Sequence, residues 1–224
     1  NLETTFAGKD RGYTGYPTFN SPSALGVALK NIGIDVLSTA NNHSLDRSVK
    51  GIENSLRFWH EQDGVVFAGT YLSQEERDEI PVYECNGISY TFLSYTYGCN
   101  GLTAPEGMEY LVNVYDDEML LKDVKIARKK SDVVIVAMHW GNEYTHTPTE
   151  EQKRLANMLA KEGVDIIIGN HPHVIQPIEW IDDTLVVYSC GNMISAQDQL
   201  PRNIGLMVGI DIKKVDNQGD IKVE

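Results

Sequence analysis

Four of the six histidines in this sequence stand directly after, or a few residues after, short apolar runs. They are His43, His139, His171 and His173. Neutral imidazole is the commonest metal-ligating side chain in proteins. Ligands of open α/β sheets bind beyond the carboxyl ends of the strands, where the connecting loops meet. The residue types and their positions therefore predict a metal site at the edge of a sheet.

The clearest segment is Gly169-Asn170-His171-Pro172-His173, which follows the apolar run at residues 164–168 without a spacer. This run is short, β-branched and closed by a glycine, which predicts a buried strand that ends at the glycine. Pro172 fixes its own φ and biases His171 toward extended geometry, so we expect a stiff turn to carry both imidazoles. Two histidines beside a proline can also simply cap a loop, so the metal hypothesis needs further support.

That support comes from two other predicted strands. The strand at residues 34–39 leads into Ala40-Asn41-Asn42-His43-Ser44-Leu45-Asp46, and the strand at 132–138 leads into His139-Trp140-Gly141-Asn142-Glu143-Tyr144. Alternation of strands and helices implies parallel pairing, which brings strand tips to one edge. For Asp46 the alternative is to cap the following helix, and we expect that role there. Gly191-Asn192 ends a further predicted strand.

The ligand types limit the metal and its chemistry. Histidine, asparagine and carboxylate ligands without paired cysteines suit manganese, iron or zinc. In the irregular segment at residues 1–20, Glu3 is the plausible ligand. Two such ions would hold both the attacking and the leaving oxygen of a displacement at phosphorus, so phosphoester hydrolysis is the natural chemistry.

The remaining pattern predicts an α/β protein whose sheet is not purely parallel. A hairpin is expected at residues 80–95, because Asn86-Gly87 suits a type I′ turn. The first predicted helix has Ser21 as its N-cap and Pro22 as its first residue. Further helices are predicted around the stripe Val49, Ile52, Leu56 and Trp59, over 116–130, and from a capping box at Thr147-Pro148-Thr149-Glu150. Further strands are predicted at 65–68, 176–181, 185–190 and 205–212, with a turn at 216–219 and a solvated charged segment at 70–79.

Composition excludes several classes of function. The 224 residues favour one large domain, and no apolar run approaches the roughly 18 residues of a membrane helix. A net charge of −13 argues against nucleic acid as a partner. Three scattered cysteines leave room for one disulfide and do not form a zinc ribbon. Because the chain lacks an initiator methionine and stops in a predicted strand, we expect both ends to be truncated. The absence of a signal peptide or membrane anchor from these residues therefore says nothing about where the full protein is located.

Four motifs in this order also resemble a known family. Asn1-Leu2-Glu3 and the three segments that begin at Ala40, His139 and Gly169 look like the motif series of the poly-γ-glutamate capsule synthesis (CapA-type) family. The resemblance covers essentially the whole chain, and four motifs in register are more specific than one. It implies a single domain over residues 1–224 with a calcineurin-like metallophosphoesterase fold. In that fold two central mixed β-sheets are flanked by helices in a four-layer αββα sandwich.

The resemblance also implies roles for individual residues. Asn42, His139, His171 and His173 match metal ligands, Glu3 matches a bridging carboxylate, and His43 matches the histidine that protonates a leaving group. Glu143 is assigned only the orientation of a histidine, and Asp46 and Asn192 remain candidates for supporting a ligand or contacting substrate. Family members carry a Gly-Asp motif upstream of Asn-Leu-Glu that these residues do not include, so one ligand of a two-metal centre is expected to be missing.

Three functions follow as hypotheses. The first is an accessory domain for synthesis or export of a poly-γ-glutamate capsule, located outside the cytoplasm, anchored to the membrane in the full-length protein and working with membrane-bound partners. The second is a metal-dependent phosphoesterase that acts on an unrelated substrate. The third is a polymer-binding or tethering module without catalysis, for which a polyanionic polymer would need bridging cations.

Overall fold

The structure, a computed structural model, describes residues 1–215 and 220–224, so the turn predicted at 216–219 lies outside the described residues. The chain divides into two compact units. The first consists of Asn1–Glu79 and Ser94–Tyr115, and the second of Ile80–Leu93 and Asp116–Glu224. Within the described residues, no helix has the length and hydropathy that crossing a bilayer requires.

The first unit is built on a strand-helix-strand unit. Its helices and strands are α1 (Ala24–Asn31), β1 (Val36–Ser38), α2 (Ser48–His60), β2 (Val66–Ala68) and α3 (Gln74–Asp78). Strands β1 and β2 pair in parallel, with Leu37 opposite Phe67. Helix α2 buries the predicted stripe, since Ile52, Leu56 and Trp59 are each at most 2% exposed. Full burial of such side chains stabilises the fold by about 1.5–3 kcal/mol each.

The second unit is built on a six-stranded mixed sheet. Its helices and strands are β3 (Tyr83–Cys85), β4 (Ile88–Thr96), α4 (Asp117–Lys130), β5 (Val133–His139), α5 (Glu150–Lys161), β6 (Ile166–Asn170), β7 (Ile178–Ile181), β8 (Thr184–Val187), β9 (Ile212–Val215) and β10 (Asp220–Val223). The strand order is β3-β4-β5-β6-β8-β7. Strands β5, β6 and β8 are parallel, whereas the pairs β3–β4 and β7–β8 are antiparallel. The predicted α/β class with a mixed sheet is therefore confirmed.

The predicted hairpin is confirmed as well, and its turn has the expected backbone. Asn86 and Gly87 have φ values of 52° and 76°, as a type I′ turn requires. Strands β5 and β6 are joined through α5 and pair so that His139 lies opposite Asn170. This register brings the polar segments that follow β5 and β6 to the same edge of the sheet.

Several local predictions were wrong. Helix α1 begins at Ala24 with Ser23 at its N-cap, not at Pro22 with Ser21 as the cap. The capping box before α5 is formed by Thr149 and Gln152, two residues further along than predicted. Short-range capping signals recur in neighbouring positions, so the sequence alone does not fix which one is used.

Two segments also differ from the predicted elements. The segment at 70–79 contains α3, because Ser73 accepts a hydrogen bond from the amide of Glu76 and caps it. The strand predicted at 205–212 begins only at Ile212, and Met207 is 92% exposed. The apolar side chains of residues 205–211 are exposed or half-buried. Their alternation in the sequence therefore does not mark the buried face of a strand.

Candidate functional site

The second unit brings together two of the predicted histidine ligands. His139 is the last residue of β5 and His171 follows directly after β6. Their ring centroids lie 4.8 Å apart with an interplanar angle of 52°. Their exposed fractions are only 2% and 6%. Adjacent parallel strands therefore hold two imidazoles side by side in a largely water-excluded place.

The glycine before these histidines is required by close packing. A Cβ on Gly169 would lie 1.9 Å from the carbonyl oxygen of Tyr188 and 2.5 Å from Nε1 of Trp140. The buried Trp140 indole donates a hydrogen bond of 3.0 Å to that same carbonyl. The prediction that the strand ends at Gly169 is wrong, because β6 continues to Asn170. Gly169 must lack a side chain because the Tyr188 carbonyl and the Trp140 indole occupy the space that a Cβ would fill.

The turn that carries His171 and His173 has an unusual backbone. Their φ values are 98° and 57°, so the predicted extended geometry of His171 before Pro172 is wrong. Non-glycine residues with positive φ cost about 1–3 kcal/mol each and persist only where their surroundings fix them. The amide of Tyr144 donates a 2.8 Å hydrogen bond to the carbonyl of Pro172, which holds the turn from the segment after β5. Backbone strain of this kind is concentrated at functional sites.

Asn192 orients the third histidine. Its Oδ1 lies 2.9 Å from Nδ1 of His173, and because an amide oxygen only accepts, Nδ1 must carry the proton. In the neutral ring Nε2 is then the atom with a lone pair for a metal. The Nδ2 of Asn192 donates to the carbonyl of Arg202 at 2.7 Å and to the carbonyl of His173 at 3.4 Å. One amide therefore fixes the imidazole and two stretches of backbone.

The structure does not place Glu143 on a histidine. Its side chain is exposed, and within the described residues its carboxylate forms no hydrogen bond or ion pair with an imidazole. The adjacent Tyr144 contacts the site instead: its ring stacks on His173 at a centroid distance of 6.0 Å. The guanidinium carbon of Arg202 lies 3.4 Å from the Tyr144 centroid. The site contacts of Tyr144 and Arg202 were not predicted from the sequence. An arginine in the segment 200–203 belongs to no motif that would link it to the histidines.

In the first unit, His43 is held by Asp46. Nδ1 of His43 lies 2.7 Å from Oδ2 of Asp46, and this oxygen also accepts a 2.6 Å hydrogen bond from the amide of Phe19. The Phe19 ring meets the imidazole edge-on at 4.5 Å. Helix α2 has Arg47 at its N-cap without a side-chain cap, so the expectation that Asp46 caps this helix was wrong. The carboxylate contacts the imidazole instead and fixes the proton on Nδ1.

The loop that presents His43 is shaped by buried polar contacts. Oδ1 of Asn41 accepts from the amide of His43 at 3.0 Å, while its Nδ2 donates to the carbonyl of Leu2 at 2.8 Å. Ser44 Oγ donates to the carbonyl of Thr39 at 2.8 Å. Asn41 is only 1% exposed. This asparagine therefore holds the loop, a role that sequence reasoning did not assign.

The other two predicted ligands also lie in the first unit. Nδ2 of Asn42 donates to Oδ1 of Asn100 at 3.2 Å, so the amide oxygen at its other end is the atom a metal would bind. Glu3 is half-buried and accepts from Nδ2 of Asn1 at 3.3 Å. The ligand roles of Asn42 and Glu3 stay predictions.

The donor set of the second unit fits a divalent metal by its chemistry. Three imidazoles lie close together, with His171 and His173 centroids 6.2 Å apart, and imidazole ligands suit zinc and iron. The cysteines do not form a disulfide. Burial raises the pKa of Cys99 to about 11 and raises that of Cys190 above its usual value, which disfavours their thiolates as ligands.

Comparisons with known proteins show which family this chain is similar to. The family model for the bacterial capsule synthesis protein PGA_cap matches residues 1–197. The PGA biosynthesis protein CapA of Bacillus subtilis is 31% identical over 187 residues, which are 83% of this chain and 49% of that protein. The capsule biosynthesis protein CapA of Bacillus anthracis is 32% identical over 175 residues, covering 76% of this chain and 42% of that protein. The chain thus spans less than half the length of these relatives.

Solved structures similar to this chain share its fold. A putative 5'-nucleotidase from Staphylococcus aureus in complex with alpha-ketoglutarate has a TM-score of 0.60 at 19% identity, covering 90% of this chain and 39% of that one. The sulfate thiohydrolase SoxB of Thermus thermophilus has a TM-score of 0.50 at 17% identity, covering 75% and 30%. The predicted metallophosphoesterase-type α/β fold is confirmed. By sequence, the chain belongs to the bacterial capsule synthesis protein family PGA_cap.

Proposed function

We propose that this chain is a phosphoesterase-like domain that binds a divalent metal and assists synthesis or export of a poly-γ-glutamate capsule. The observation that carries the metal proposal is the side-by-side placement of His139 and His171 at the ends of paired parallel strands. The capsule part is supported by family membership and by the printed names of the Bacillus relatives.

In the second unit, we assign the ligand roles to His139, His171 and His173. His139 is the last residue of β5, His171 follows β6 directly, and the ring of His173 is hydrogen-bonded to Asn192. A hydrogen bond from the ring nitrogen that does not bind the metal selects the tautomer of a ligating histidine and fixes the orientation of its ring. When bound, a divalent metal supplies Lewis-acid polarisation of a phosphoryl or carbonyl oxygen. For Glu3 and Asn42, which lie in the first unit, the proposal keeps the ligand roles that the family resemblance implies.

In the first unit, we assign the general-acid role to His43. Its Nδ1 is committed to Asp46, so the proton that can be transferred is the one on Nε2. The Asp46 carboxylate stabilises the imidazolium form that delivers this proton, as in other histidine–carboxylate pairs. Burial of the ring to 6% exposure limits competition from water.

Metal content and turnover test these assignments together. The full-length protein is purified, its manganese, iron and zinc are measured, and hydrolysis of phosphodiester and phosphomonoester substrates is followed with added Mn²⁺. We expect His171→Ala to lose metal and turnover, and His43→Ala to keep metal but lose turnover. His146→Ala and His60→Ala replace exposed histidines and serve as controls. Wild-type metal content in His171→Ala, or undiminished turnover in His43→Ala, would contradict the assignment.

We also propose that the domain works outside the cytoplasm, anchored to the membrane in the full-length protein, beside membrane-bound capsule synthesis proteins. The net charge of −13 would repel a polyanionic polymer, which favours proteins or bridging cations as its direct partners. Protease added to intact cells should cleave the domain, and membranes should retain the full-length protein after a salt wash. A protease-resistant domain that becomes sensitive only after lysis would rule out this location.

A further inference from the structure

We propose that Arg202 binds the anionic oxygen group, carboxylate or phosphate, of the ligand that occupies the histidine site of the second unit. The inference rests on the proposed function, because it assumes that this site takes a ligand. It names a residue outside the range that matches the family model, which ends at residue 197.

Arg202 reaches the histidines through the Tyr144 ring. The guanidinium carbon lies 3.4 Å from the Tyr144 centroid, and this ring is stacked on His173 at 6.0 Å with an interplanar angle of 26°. Because the two distances share the Tyr144 centroid, the guanidinium carbon is no farther from the His173 ring than their sum. A ligand that contacts the histidines through one end is therefore within reach of the arginine.

The backbone around Arg202 is tied to the same histidine. Nδ2 of Asn192 donates to the carbonyl of Arg202 at 2.7 Å, while Oδ1 of this amide lies 2.9 Å from Nδ1 of His173. On the other side, Tyr144 has a φ of 62°, and its amide donates to the carbonyl of Pro172 at 2.8 Å. Both the arginine and the ring beneath it are thus positioned relative to the His171-Pro172-His173 turn.

The charge balance indicates what Arg202 would bind. Within residues 1–215, no carboxylate forms a salt bridge with its guanidinium, whereas Arg154 and Arg128 each pair with acidic side chains. The chain has 19 basic and 32 acidic residues, so its overall field opposes an anionic ligand. Arg202 is half-buried, and its guanidinium lies over an aromatic ring. This planar group can form two parallel hydrogen bonds to a carboxylate or a phosphate.

Two probes distinguish the two sources of the anionic group. Inorganic phosphate and glutarate are titrated by calorimetry into wild-type protein and into Arg202→Met and Arg202→Lys, each with and without Mn²⁺. We expect Arg202→Met to weaken binding of at least one probe by about tenfold or more, with unchanged Mn²⁺ affinity and melting temperature. Arg202→Lys should recover part of the loss, since it keeps the charge without the two-pronged geometry. Arg154→Met is the matched control, because its guanidinium already pairs with carboxylates.

The outcomes separate the two proposals. If the wild-type protein does not bind Mn²⁺, the proposed function is contradicted. The anion-binding role of Arg202 is then tested by the affinities for phosphate and glutarate measured without metal. Equal affinity of wild type and Arg202→Met for both probes, or no probe binding by the wild type, would overturn the assignment of Arg202. If Arg202→Met does not fold, the comparison of Arg202→Lys with wild type decides, because a merely structural stacking role predicts unchanged affinity.

Discussion

The carboxylate of Asp46 lies 2.7 Å from Nδ1 of His43, three residues earlier in the chain, and the same oxygen accepts a hydrogen bond from the amide of Phe19. A pattern that looked like a helix cap is therefore a histidine–carboxylate pair. The proton on Nδ1 is fixed by this contact, and Nε2 is left as the atom that can exchange a proton.

Replacement of Asp46 tests this pair. In Asp46→Asn the oxygen can still accept from His43, but the negative charge that stabilises the imidazolium is lost. We expect phosphoester turnover to fall by roughly 100-fold, within the range of general-acid effects, while metal content is unchanged. The pH profile of turnover should change in shape as well. Equal turnover and an unchanged pH profile would show that Asp46 only supports the loop.

The contact between Asn192 and His173 predicts a specific effect on metal affinity. In Asn192→Leu, the ring of His173 loses the acceptor for its Nδ1 proton and can rotate or change tautomer. Loss of such an orienting contact typically weakens metal binding by about 10–100-fold. Asn203→Ala, an exposed asparagine in the nearby 200–203 segment, is the control. Mn²⁺ titration of both variants checks the prediction, and equal affinities would remove the orienting role of Asn192.

Gly169 should be irreplaceable for packing reasons. In Gly169→Ala the added methyl group would overlap the Tyr188 carbonyl and the Trp140 indole, and overpacking of this kind costs about 1–3 kcal/mol or more. Gly209→Ala is the matched control, since a Cβ at Gly209 meets nothing within 4 Å. Urea unfolding should show a lower free energy of unfolding only for Gly169→Ala. Similar values for the two variants would mean that β6 and β8 can separate at little cost.

The cysteines should differ sharply in reactivity. Cys85 is exposed, Cys99 is buried with a pKa of about 11, and burial also raises the pKa of Cys190. The attacking species is the thiolate, so at pH 8 a thiol reagent should modify Cys85 rapidly and the other two slowly. Denaturant should equalise the three rates. Cys85→Ser should remove the fast phase, and a fast phase that survives in this variant would contradict the protection of the buried Cys99 and the half-buried Cys190.

Much of the architecture could be predicted because it depends on local patterns. The stripe of α2 and the Asn86-Gly87 turn each follow from side-chain spacing or from one backbone requirement. The placement of His139 and His171 at one edge follows from parallel pairing through a helix. The exact boundaries and caps of helices could not be predicted, as Thr149 shows, because similar capping residues occur at neighbouring positions.

The supporting contacts could not be predicted, because they join residues that are far apart in sequence. Asn192 contacts His173 across 19 positions, and Arg202 stacks on Tyr144 across a longer gap. The φ of 98° at His171 also contradicts the usual preference of a residue before proline. Such geometry is set by tertiary contacts such as the hydrogen bond from Tyr144 to Pro172.

X-ray absorption spectroscopy of the zinc-loaded protein tests the metal proposal most directly. If His139, His171 and His173 bind the ion, the spectrum should contain several imidazole ligands at about 2.0–2.1 Å. The His139→Ala and His171→Ala variants should then lose zinc or show fewer imidazoles, whereas His146→Ala should match the wild type. A zinc spectrum without imidazole, or one that is identical in all three variants, would contradict the proposed centre.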